Sequence, residues 1–144
     1  MLWVPITIGA YRLGLPIFDE PTKSTASNES SYLDRRALHS PALALILASH
    51  EINLMAALSM DMLKTSRLAF LRGQLHLVTN IDRDEAIIDD FQEQITFYLS
   101  ALLSQNALTE AQSHRLAGLL HIVSDIERVG DHSFSIARLA EKKH

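Results

Sequence analysis

The chain has 144 residues, enough for one domain with a real core. A net charge of −4 offers no basic surface to nucleic acid, and the absence of cysteine removes disulfides, thiolate zinc sites and cysteine nucleophiles together. There is no glycine-rich phosphate loop, which argues against a Walker or Rossmann nucleotide site.

Residues 2–18 are mostly apolar but are broken by Pro5, Arg12 and Pro16. The run falls short of the roughly 18–20 apolar residues of a membrane span. It also lacks the basic start of a secretory signal. Residues 19–31, rich in Ser, Thr, Asn, Glu and Pro, read as a linker. Residues 1–31 are therefore expected to form an irregular arm and linker, and residues 32–144 a helical domain.

The first helix is expected after Ser40, with Pro41 at its first position and an end near Arg72 or Gly73. Its apolar residues run through Leu43, Leu47, Leu54, Met55, Leu58, Met62 and Leu63. A connection through Val78 leads to a second helix from about Asp82, where Asp82 and Glu85 form a cap-like D-x-x-E pair. Ile88, Phe91, Ile95, Leu99 and Leu102 mark one face of that helix. Asn106 falls in a short turn, and Thr109 with Gln112 has capping-box spacing at the start of a third helix. There Leu116, Leu119, Val123, Ile126, Gly130, Ser133 and Ala137 make a single stripe. No segment sustains period-two alternation. The fold expected is all-α: an antiparallel, up-down-up three-helix bundle with an irregular N-terminal arm.

The third helix carries DIERVGDH at residues 125–132, which sets Glu127 and Asp131 one above the other. A like-charged pair at this spacing costs a few tenths of a kcal/mol, about 0.2–0.5. A cation, a basic partner or plain hydration must offset it. Counting 1.5 Å per residue from the Ser104/Thr109 end places Glu127 at about 27 Å and Glu85 at about 28 Å, with Asp131 level with Asp82. The angular count puts Glu85 and Asp89 on one flank of the second stripe, and Glu127 and Asp131 on the matching flank of the third. These flanks can face one groove.

Four clustered carboxylates repel unless neutralised. Their oxygens suit hard cations such as Mg²⁺, Mn²⁺ or ferric iron, and Zn²⁺ less selectively. The bland reading keeps them as solvated surface, with Glu85 only capping its helix. His121, Asp125 and His132 share another flank and read as a polar face before a zinc site. Arg128, opposite the stripe, and Arg35, Arg36 and Arg138 suit partner contacts. Gly130 on the stripe is expected to permit close approach of a neighbouring helix. His50-Glu51 begins an H-E-x-x-H pattern that ends on Leu54, and the Glu-x-x-His spacing occurs only once, at Glu141–His144, where a di-iron carboxylate bundle uses two, so the chain is not expected to be an enzyme.

The DIERVGDH segment resembles the signature of PhoU-type phosphate-uptake regulators, helical proteins whose E/D-x-x-x-D motifs bind metal clusters. A second stretch, YLDRRALHSPALAL at residues 32–45, is similar to the start of the PhoU-like domain that ends bacterial sodium/phosphate cotransporters. The resemblance implies iron or zinc at Glu85, Asp89, Glu127 and Asp131. It implies regulation of phosphate transport or its signalling through a phosphate transporter or sensor-kinase component. It also implies a cytoplasmic protein, at most peripheral to the inner face of the membrane through a partner or the N-terminal arm. PhoU proteins contain two three-helix repeats and this chain has room for one, so a homodimer is expected. Residues 1–31 are then a packing arm, or the remnant of a membrane domain. The alternatives are a metal-binding bundle, or a structural oligomerisation bundle, without a phosphate role.

Overall fold

A computed structural model describes residues 32–105 and 108–143. Residues 1–31 and the turn at Asn106 lie outside the described residues. Three helices dominate: α1 (Pro41–Arg72), α2 (Ile81–Ser104) and α3 (Glu110–Lys143). Short 3-10 turns precede α1 (Arg35–His39) and α2 (Leu75–Asn80), and no strand occurs among the described residues.

The ends follow local chemistry. Pro41 opens α1, where its missing N–H costs nothing, and Gly73 closes the helix in the left-handed region at φ 65°. At the start of α3, Gln112 N–H donates to Thr109 Oγ1 at 3.3 Å and Gln112 Oε1 accepts from Thr109 N–H at 2.9 Å. The expected capping box is therefore present. The expected D-x-x-E cap on α2 is not. Asn80 precedes the helix already in the right-handed region with no side-chain cap bond, and Asp82 lies inside the first turn. The chain enters α2 from a 3-10 turn, so the helix needs no extended capping residue.

The core is a set of seams with alternating three- and four-residue spacing. In α1 it comprises Leu45, Ala48, Ile52, Met55, Ser59, Met62, Ser66 and Ala69, all buried. Of the apolar residues expected to mark this helix, Met55 and Met62 lie on the seam. Leu43 is 46% exposed, and Leu47, Leu54, Leu58 and Leu63 sit half-buried on the flanks. Helix α1 is apolar nearly all round, so large side chains alone do not single out its buried face. Among the described residues it is also the helix long and apolar enough to cross a membrane, yet only 39% of its most apolar stretch is buried in the bundle. The stripes expected on α2 and α3 are the observed ones, with Phe91 and Ile126 half-buried at their edges.

Cross-helix contacts give the topology. Arg115 of α3 reaches Ser49 of α1, and Ser59 Oγ donates to Ile126 O at 3.1 Å, so these two helices run parallel. Arg138 pairs with Asp82 while Ile88 meets Gly130, so α2 runs antiparallel to α3. Small buried residues (Ser59, Ser66 and Ala69 on α1; Gly130, Ser133 and Ala137 on α3) concentrate towards one end of the bundle. There they let the helices close. The buried Ser133 and Ser66 hydroxyls are satisfied within their own helices, by Val129 O at 2.6 Å and Leu63 O at 3.0 Å.

Candidate functional site

The acidic groove begins with a glycine. A Cβ at Gly130 would lie 3.2 Å from Ile88 Cδ1 and 3.3 Å from Ile88 Cγ2, closer than side chains ordinarily pack. The missing side chain lets α2 and α3 approach here, as the sequence suggested. Ile88 sits between Glu85 and Asp89, and Gly130 between Glu127 and Asp131. The close approach therefore brings the two acidic flanks together.

Glu85 and Glu127 are half-buried, whereas Asp89 and Asp131 are exposed. Burial raises the Glu85 carboxyl above the ordinary glutamate range, and the charges of Asp89, Asp131 and Asp82 raise it further. Glu127 is raised by burial first, then by Asp131 through both charge and a shared hydrogen bond, and by Asp89; Arg128 partly offsets this. Both glutamates are therefore harder to ionise than isolated ones. The pairing is crossed: Glu85 senses Asp131, and Glu127 senses Asp89. This corrects the level count from sequence by about one helical turn, because the Ile88–Gly130 contact, not the turn after Ser104, fixes the register.

No ion pair reaches any of the four carboxylates among the described residues. Arg138 lies nearby but is held 3.0 Å from Asp82 and 2.9 Å from Glu141, with its guanidinium 5.0 Å from the Phe134 ring centre. Arg128 sits 3.8 Å from Asp125 on the exposed side of α3. Arg35 stacks over Phe97 at 5.7 Å. The donor set of the groove, oxygen only and short of positive charge, fits a hard cation. As placed, no three His, Asp or Glu side chains among the described residues converge closely enough to hold one. The same holds for His121, Asp125 and His132, all exposed.

One acid has a place in the core that the broken H-E-x-x-H pattern did not suggest. Glu51 is only 2% exposed and accepts a hydrogen bond from Tyr32 N–H at 3.1 Å. It lies on the α1 seam between Ala48 and Met55, so its position in the three-four pattern was the available signal. Its role here is to hold the incoming chain against α1, next to the Tyr32–His50 ring contact at 4.3 Å.

No curated protein and no solved structure matches the chain. The PhoU domain model matches residues 52–140, well over half of the sequence and inclusive of both acidic pairs, the Gly130 contact and most of all three helices. The chain belongs to the PhoU domain family.

Proposed function

We propose that the chain is a regulator of phosphate transport or its signalling, and that its acidic groove takes a metal ion, iron or zinc, through Glu85, Asp89, Glu127 and Asp131. The observation that supports this reading best is an overlap. The PhoU domain match, which points to phosphate-related regulation, spans the stretch in which two helices press four uncompensated carboxylates together. A bound cation would supply the positive charge that this groove lacks. Glu85 and Glu127 would hold it from the half-buried side. The exposed Asp89 and Asp131 would have to turn inward to join them, which couples occupancy to the shape of the α2/α3 face. That face would dock on a phosphate transporter or sensor-kinase component, shifting its population between states. By the likeness of residues 32–45, a sodium/phosphate cotransporter is one such setting. The proposed role is non-catalytic, at the cytoplasmic side of the membrane, and includes a homodimer.

The test is phosphate uptake in cells lacking the chain, complemented by the wild type or by Glu127→Gln/Asp131→Asn. The reading expects uptake or its starvation response to change on deletion, and the wild type but not the double variant to restore it. Unchanged uptake and signalling after deletion would favour a bundle without a phosphate role.

A further inference from the structure

The first turns of α1 present an apolar face that the described residues leave uncovered. Leu43 is 46% and Ile46 55% exposed. Leu43 and Leu47 line one wall of an open groove of about 550 Å³, whose other wall includes Tyr32, Asp34 and Ala37. On the same flank, His50 Nδ1 is buried and finds no hydrogen-bond partner among the described residues. Exposed aliphatic surface beside an open groove calls for a covering chain with apolar side chains to fill it.

The chain outside the described residues fits that description. It joins the bundle at Tyr32, directly against His50 at a ring separation of 4.3 Å. Counting back from there, residues 19–31 are polar and residues 2–18 carry Leu2, Trp3, Val4, Ile6, Ile8, Tyr11, Leu13, Leu15, Ile17 and Phe18. A polar linker of this length spans about 20 Å on average. Ile46 and Leu43 lie only about 6–11 Å along the helix axis from His50. Tethering at this range acts as an effective concentration in the millimolar range, so even a weak apolar contact would form. Pro5, Gly9, Gly14 and Pro16 disfavour one continuous helix in the segment, and an extended chain keeps backbone groups free to bond along a groove. We propose that residues 2–18 of the same chain dock on the α1 face formed by Leu43, Ile46 and Leu47, covering the groove beside His50.

Trp3 is the sole tryptophan, so its fluorescence reports on this segment alone. In the full chain, the proposal expects blue-shifted Trp3 emission shielded from acrylamide, unchanged across a dilution series. Leu43→Ser/Ile46→Ser should raise quenching several-fold while helical circular dichroism and the light-scattering mass stay the same. Leu139→Ser, an exposed position at the far end of the bundle, should leave it unchanged. Ile46→Ser alone serves if the double variant loses helix. Four results would overturn the proposal: Trp3 as accessible as a free indole in the folded chain; shielding indifferent to Leu43 and Ile46; shielding lost on dilution, which assigns the face to a second copy; or shielding gained only with phospholipid vesicles, which assigns the segment to a membrane.

Discussion

Replacing Gly130 with alanine sets two effects against each other at the centre of the groove. In an exposed helix the change would stabilise by about 0.8–1 kcal/mol, because glycine is the poorer helix former. Here the new methyl would arrive 3.2 Å from Ile88 Cδ1 and 3.3 Å from its Cγ2, and Ile88 is only 1% exposed. The Cδ1 atom can swing aside, but the branch methyl is fixed close to the α2 backbone and can retreat only if that helix moves. Overpacking of this kind costs about 1–3 kcal/mol. The clash should win, giving a net loss of about 1 kcal/mol. Ile88→Leu removes the branch methyl and leaves only a flexible end to give way, at its own cost of under about 1.5 kcal/mol. In that background Gly130→Ala should be nearly neutral, a coupling of about 1 kcal/mol between the two sites. Urea unfolding of the four proteins, with slopes unchanged, measures the cycle. A stabilising Gly130→Ala that is simply additive with Ile88→Leu would show that α2 and α3 do not close at this point, and the crossed carboxylate pairing would lose its basis.

Three further outcomes follow from the same geometry. Asp131→Asn removes one like charge from Glu127, and in the metal-free chain it should raise stability by about 0.2–0.5 kcal/mol in urea unfolding under chelator. Because the folded chain holds Glu85 and Glu127 above their unfolded values, the stability they contribute is fully present below the ordinary glutamate range. It is lost as pH rises through their raised values. The difference in unfolding free energy between the wild type and Glu85→Gln/Glu127→Gln should therefore shrink on acidification, and a difference that does not vary with pH would contradict the shifts. Thr109→Ala breaks the reciprocal cap at the start of α3 and should cost about 1 kcal/mol, with faster hydrogen exchange confined to the first turn.

Helix ends were legible where a residue's own chemistry sets them: Pro41, Gly73, and Thr109 with Gln112. The start of α2 was not, since the chain arrives there already turning and Asp82 is drawn to Arg138. The buried face of α1 was hidden because large apolar residues surround the helix. What fills the seam is partly small or polar, Ala44, Ala48, Ser59 and Ser66, together with the carboxylate of Glu51. Spacing alone brought out both acidic pairs and the role of Gly130. Which carboxylate meets which was beyond it, because one turn of register depends on how Ile88 seats against the glycine.

The central claim, that the groove is a cation site, is tested most directly by elemental analysis of untagged protein purified without chelator, with Glu127→Gln/Asp131→Asn alongside. The account predicts stoichiometric iron or zinc in the wild type and none in the variant, with both chains equally folded. No metal above background, even after titration with ferric iron, Zn²⁺, Mn²⁺ and Mg²⁺, would contradict it and leave the four carboxylates as hydrated surface on a helical docking module.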